Sequence, residues 1–122
     1  MTKKKILIID DEDDIRAGVI EFGQDLGYEM LEAANGADGY YKLEQSQPDA
    51  ILLDLNMPGL NGLELLRQIK KRYPHIMVIV ITGAGSRVIE AQIRQMGQYG
   101  YIEKPFDVEA LFKEHISPKL AS

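Results

Sequence analysis

Short aliphatic runs alternate with helix-length amphipathic stretches along this chain, and that alternation limits its folds more than any other feature. Residues 50–53 read Ala-Ile-Leu-Leu and lead straight into Asp54. Residues 6–9 do the same into Asp10, and residues 76–81, the longest run, end at Thr82. Continuous apolar runs of this length suit strands buried on both faces, as in a parallel sheet. Residues 28–33 carry two Glu and suit a short edge strand, while residues 99–103 form a fifth strand ending at Lys104.

The stretches between them read as helices. Ile15, Val19, Phe22 and Leu26 fall at spacings of four, three and four, one apolar stripe. Asp13 or Asp14 can cap its start, and Gly27 ends it. Residues 35–47 form a second helix, capped by Asn35, with Tyr40 and Leu43 inward and Pro48 as the stop. Gly36 and Gly39 weaken it, each by up to ~1 kcal/mol relative to Ala. Asn61 with Glu64 is a capping pair for the third, whose buried face is Leu66, Ile69 and Tyr73, closed by Pro74. Ser86 caps the fourth, with Ile89, Ile93 and Met96 on one face and Gly97 as the stop. Asp107 caps the fifth, with Val108, Leu111, Phe112 and Ile116 inward and Pro118 ending it.

The order is (βα) repeated five times, which implies the α/β class: a doubly wound, parallel five-stranded sheet with helices on both faces. The 122 residues suit one domain, residues 1–122, with an ordered core over about 4–118 and a loose tail. A net charge of −5 argues against direct nucleic-acid binding. Lys3, Lys4 and Lys5 read as a solvated start, no segment reaches membrane-span length, and no signal peptide is expected before the first strand. A cytoplasmic protein without membrane contact is expected. The absence of Cys excludes disulfides and thiolate metal sites.

In a parallel sheet all strand carboxyl ends lie on one side, and ligands bind there. That rim holds Asp10 and Asp11, Asp54, Thr82 and Lys104. Each alone reads as a helix cap or a surface charge, but all five together fit that reading poorly. Three adjacent carboxylates repel, so a proton or a cation must relieve them. Oxygen-only ligands select a hard ion, and Mg²⁺ takes few carboxylates and keeps its waters. His75 begins a strand and His115 lies in the last helix, so neither joins the rim. A carboxylate can be a nucleophile, while Mg²⁺ and a Lys neutralise an incoming phosphoryl group. Thr82 adds a hydroxyl and Gly83 a backbone N–H. The residues therefore point to a phosphorylatable aspartate beside a metal site.

Four motifs carry a resemblance over essentially the whole chain: Ile9-Asp10-Asp11-Glu12; Leu53-Asp54-Leu55-Asn56-Met57-Pro58-Gly59 with Gly62; Ile81-Thr82-Gly83; and Tyr101-Ile102-Glu103-Lys104-Pro105-Phe106. The chain resembles the receiver domain of bacterial two-component response regulators. The resemblance implies strand order 2-1-3-4-5, a flavodoxin-like sheet. It implies that Asp54 accepts a phosphoryl group from a sensor histidine kinase or a histidine phosphotransfer protein. It implies Mg²⁺, replaceable by Mn²⁺, held by Asp11 directly, Asp10 through water, Asp54, and the Asn56 backbone carbonyl. Lys104, Thr82 and Gly83 would bind the phosphoryl oxygens, and the bond before Pro105 would be cis. Thr82 would move toward the phosphoryl group and Tyr101 swing inward behind it. The changed surface would be helix 4, strand 5 and helix 5, read by a downstream protein, an output domain outside this chain or a phosphorylation-dependent dimer. The kinase would face helix 1, for example Ala17 and Ile20, and the Pro105 turn.

Three positions depart from the family's usual pattern: Gly39 for a common Ala, Gln98 for the Ala after Gly97, and Gly100 for a common Asp. The stretches from Thr82 to Gly85 and from Gly97 to Tyr101 look closer to receivers of the nitrogen-regulatory type or of hybrid kinases. The resemblance implies a switch that speeds its own phosphorylation and dephosphorylation, not an enzyme turning over other substrates. One alternative is a degenerate receiver serving only as an interaction module, although it would be expected to lose a rim residue. Another is an Mg²⁺-dependent aspartyl phosphatase, which would want a second Asp where Asn56 stands. A flavin site would need a phosphate-cradling loop after strand 1, where acids stand instead.

Overall fold

The segment Ala50–Asp54 is buried along its whole length and forms β3, the middle strand of the sheet. The computed structural model describes residues 3–58, 61–83, 87–96 and 100–120. Around β3 the chain runs β1 (Lys5–Ile9), α1 (Asp13–Asp25), β2 (Glu29–Ala33), α2 (Gly36–Ser46), then α3 (Gly62–Arg72), β4 (Met77–Thr82), α4 (Arg87–Met96) and β5 (Gly100–Glu103). A last helix, α5, starts at Val108–Ala110, widens into a π-helical segment over Leu111–Ile116 and closes as Ser117–Leu120. All pairings are parallel and the order is β2-β1-β3-β4-β5, as expected.

Successive residues of a strand face opposite sides, and each side of this sheet has its own core. Leu7, Ile9, Ile51, Leu53, Val78 and Val80 pack with Leu43, Leu66, Ile69 and Ile93, so α2, α3 and α4 cover one face. Ile6, Ile8, Leu52, Ile79 and Ile81 pack with Val19, Leu111, Phe112 and Ile116, so α1 and α5 cover the other. Fully burying one such side chain is worth about 1.5–3 kcal/mol. The register pairs Ile9 with Leu53, Asp54 with Ile81, and Thr82 with Glu103, so the carboxyl ends of β1, β3, β4 and β5 lie at one level.

Two departures from the family pattern have a steric cause. A Cβ on Gly39 would stand 2.6 Å from Cδ1 of the buried Ile9, and one on Gly100 would stand 2.9 Å from Cγ1 of Ile79. The strand side chains occupy the volume that an alanine or aspartate would need.

Caps at Asn35, Asn61 and Asp107 are as expected: each side chain accepts a backbone N–H three residues on. Three expectations need correction. Glu12, not Asp13 or Asp14, is the N-cap of α1, without a side-chain cap bond, because Asp13 is inside the first turn and pairs with Arg16. Leu26 is 51% exposed, since α1 ends one residue earlier and the chain turns away at Gly27, φ +94°. Pro118 does not end α5: the Ser117 N–H bonds to the Phe112 carbonyl, five residues back, and Pro118 falls in the first turn of the closing segment. A proline there breaks no interior hydrogen bond. Ser86, Gly97, Gln98 and Tyr99 lie outside the described residues.

Candidate functional site

Asp10 follows β1 directly and Asp54 is the last residue of β3, and both are buried, at 0% and 1% exposure. Asp11 is exposed, yet one carboxylate oxygen each from Asp10, Asp11 and Asp54 lie within 4.8 Å of one another. Backbone donors hold the buried pair. The Glu12 N–H donates to Asp10 Oδ1 and the Asn56 N–H to Asp54 Oδ1, each at 2.8 Å. The Asp10 N–H bonds to the Ala33 carbonyl at 3.1 Å, which continues the β1–β2 ladder to the rim.

Lys104 enters from the end of β5, where its N–H donates to the Thr82 carbonyl at 2.7 Å. Its ammonium donates to Asp54 Oδ2 at 3.0 Å, to Glu12 Oε1 at 3.2 Å and to Asp10 Oδ1 at 3.3 Å. The Lys104–Pro105 peptide bond is cis. Asp10 Oδ2 is also 3.0 Å from the ammonium, but in a direction that makes no hydrogen bond, so it is buried without a hydrogen-bond partner. A buried acceptor without a partner is costly.

Burial pushes the Asp10 carboxyl above its ordinary range. The Glu12 N–H and Lys104 pull it back and the Asp54 charge adds to the rise, and burial prevails. Burial acts on Lys104 in the opposite sense, disfavouring its charge, but hydrogen bonds to Asp10 and Asp54 and their charges outweigh it and hold the ammonium above the usual lysine range. Three carboxylates, one with an unsatisfied buried oxygen, make a donor set that fits a hard divalent cation.

The remaining rim residues bond to each other. The Thr82 hydroxyl, 1% exposed with its residue, donates to the phenol oxygen of Tyr101 at 3.1 Å, and Tyr101 is partly buried against the α2–α4 face. The Gly83 N–H donates to the side-chain oxygen of Asn56 at 2.7 Å. His75 and His115 stand away from the acidic group, as expected.

All the expected site side chains thus gather at one edge. Sequence reasoning missed three participants. Glu12 gives Lys104 its third carboxylate, the Asn56 side chain spans to the β4 end, and Arg16 reaches back from α1 to the Asp10 carbonyl. The Asp13–Arg16 spacing of i, i+3 was the one visible trace of the last.

A model of the response regulator receiver domain matches residues 6–115. The chain belongs to that family. Receiver domains are phosphorylation-based signalling switches of two-component systems. The chain is 33% identical over 111 residues to the sporulation initiation phosphotransferase F of Bacillus subtilis, covering 91% of this chain and 90% of that protein. It is 33% identical over 109 residues to the DNA-binding transcriptional regulator NtrC of Escherichia coli, covering 89% of this chain but 23% of the regulator. The chain spans about a quarter of the NtrX-like response regulators of Rickettsia that it also matches, 24% of that from Rickettsia felis. A CheY-like receiver domain from Methanospirillum hungatei superposes with a TM-score of 0.90 at 31% identity, over 98% of this chain and 94% of that one. The order β2-β1-β3-β4-β5 found here is that of the flavodoxin-like doubly wound sheet. Among the described residues, no helix is long and apolar enough to cross a membrane.

Proposed function

We propose that this receiver takes a phosphoryl group onto Asp54 from a phosphohistidine donor, with Mg²⁺ held by Asp10, Asp11, Asp54 and the Asn56 backbone carbonyl. The observation that carries the reading is the convergence of Asp10, Asp11 and Asp54 with the Lys104 ammonium 3.0 Å from Asp54 Oδ2. Mg²⁺, or Mn²⁺ in its place, would neutralise charge on the phosphoryl oxygens.

The chain's own residues do the rest. Asp54 Oδ2 is the nucleophile, and its other oxygen stays on the Asn56 N–H. Lys104 already touches Asp54 and needs no long movement to meet a phosphoryl oxygen. The Thr82 hydroxyl exchanges the Tyr101 phenol for a second phosphoryl oxygen, and the Gly83 N–H exchanges Asn56 for a third. Tyr101 then moves inward, which changes the α4–β5–α5 face read by a partner. In thermodynamic terms phosphorylation biases an equilibrium between two arrangements of the rim. A sensor kinase or a histidine phosphotransfer protein would face α1, where Ala17 is exposed and Ile20 partly buried. Nucleic acid and membrane are not expected as direct partners of this domain, and cytoplasmic placement fits that role. The domain speeds its own phosphorylation and dephosphorylation and turns over no other substrate.

Incubation with acetyl phosphate and Mg²⁺, followed by intact-mass measurement, tests the reading. A labile phosphoryl adduct is expected on the native chain and absent from Asp54→Asn. Without an adduct on the native chain, a binding module independent of phosphorylation is the better description. Steady hydrolysis of unrelated phosphate esters would instead favour a phosphatase.

A further inference from the structure

The Asp10 carbonyl lies beyond the last β1 pairing, and α1 supplies its partner. Arg16 Nη1 donates to that carbonyl at 2.7 Å. Arg16 Nε donates to Glu32 Oε1 on β2 at 2.9 Å, and Nη2 pairs with Asp13 in the first turn of α1. One guanidinium, its side chain 12% exposed, therefore ties the β1 exit to β2 and to the start of α1. The Arg16 backbone N–H closes the same turn on the Glu12 carbonyl at 3.1 Å.

We propose that Arg16 is a positioning residue for the cation site, setting the Asp10–Asp11 backbone so that the Asp11 carboxylate faces Asp10 and Asp54. The inference rests on the metal-site reading above. Asp10 and Asp54 have their own restraints, the Glu12 and Asn56 N–H groups and burial. Asp11 has none: its carboxylate is exposed and makes no hydrogen bond or ion pair among the described residues. The position of Asp11 follows from the peptide that precedes it, and the carbonyl of that peptide is the atom Arg16 holds. A planar fork with donors in fixed directions suits three acceptors on three segments, and a lysine ammonium on a flexible stem does not.

Charge alone makes the opposite forecast. Removing the Arg16 cation releases Glu32 and Asp13 from their pairing and makes this end of the sheet more negative. Mg²⁺ would then bind more tightly. Loss of positioning weakens binding instead, and outer partners of metal ligands typically cost 10–100-fold in affinity when removed.

Isothermal titration of the full chain with Mg²⁺ alone separates the two, using native protein, Arg16→Lys and Arg16→Met. Both variants are expected to bind about tenfold more weakly than native. The Mg²⁺ concentration for half-maximal labelling by acetyl phosphate is expected to rise by the same factor, with the maximal rate recovered at saturating Mg²⁺. Equal or tighter binding by Arg16→Met, or native affinity in Arg16→Lys, overturns the proposal. A lower melting temperature with unchanged Mg²⁺ affinity also overturns it, because that is a structural role only. If Arg16→Met fails to fold, the charge-conserving lysine variant decides. Absence of Mg²⁺ binding by the native chain would strike the metal-site reading itself, which distinguishes the two failures.

Discussion

Thr82 donates its hydroxyl to the phenol oxygen of Tyr101 at 3.1 Å, which joins the end of β4 to the second residue of the edge strand β5. Tyr101→Phe leaves that buried hydroxyl without its acceptor, at a cost of about 1 kcal/mol. In the proposed phosphorylated state Thr82 bonds to the phosphoryl group, and the cost disappears. Thermal melts with and without Mg²⁺ and acetyl phosphate are expected to show a larger stabilisation in the variant than in the native chain. Equal stabilisation in both would mean that Thr82 stays on Tyr101.

Asp10 is expected to be a stability liability when no divalent cation is bound. Its carboxyl is raised by burial, so the fold favours the neutral form. That contribution is complete below the ordinary aspartate value of about 3.9 and is lost as pH rises through the higher folded value. At pH 7 in a chelator, Asp10→Asn should therefore be more stable than native by about 1 kcal/mol, and the difference should shrink as pH falls. The asparagine oxygen still accepts the Glu12 N–H. Added Mg²⁺ should raise the native melting temperature and barely move that of the variant. A variant less stable than native in chelator would contradict this.

Lys104 works in the opposite direction. Its raised folded value means that its contribution is complete below the ordinary lysine value of about 10.4 and is lost as pH climbs through the higher one. Lys104→Met leaves Asp10 and Asp54 buried without their cation, at a cost of about 3 kcal/mol at neutral pH in chelator. Denaturant melts should show this gap narrowing at strongly alkaline pH and narrowing again with Mg²⁺ at neutral pH. A gap independent of both would mean that the methionine change acts through packing.

The Gly39–Ile9 contact predicts non-additive stability. Gly39→Ala gains helix propensity of up to ~1 kcal/mol but brings a Cβ to 2.6 Å from Ile9 Cδ1. Overpacking of this kind usually costs about 1–3 kcal/mol, so the single change is expected to destabilise. Ile9→Ala removes all three crowding atoms, Cδ1, Cγ1 and Cγ2. In a double-mutant cycle by chemical denaturation, the two changes should couple favourably by about 1 kcal/mol. Strict additivity would mean that Ile9 rotates away freely.

The fold was legible because β1, β3 and β4 are aliphatic on both faces, a pattern that a covered parallel sheet requires. Even the edge position of β2 was readable, from the exposed Glu29 and Glu32. Helix ends were less legible. Leu26 continues the α1 stripe in sequence, but backbone geometry at Gly27 removes it from the core. Pro118 reads as a stop, and only the π-helical hydrogen-bond pattern before it lets α5 continue. Gln47 takes a left-handed conformation at φ 43°, which a non-glycine residue does not advertise. The site's charged rim followed from strand ends alone. The partners of that rim did not, because Glu12 and Arg16 are brought in by the turn of α1 over β1 and β2.

Borohydride trapping gives the most direct measurement. Reduction of an aspartyl phosphate converts that residue to homoserine, which peptide mass spectrometry locates. After treatment with acetyl phosphate and Mg²⁺, the mark is expected at residue 54 alone, and chelator should abolish it. A mark at Asp10 or Asp11, or labelling indifferent to chelator, would contradict a cation-dependent nucleophile at the end of β3.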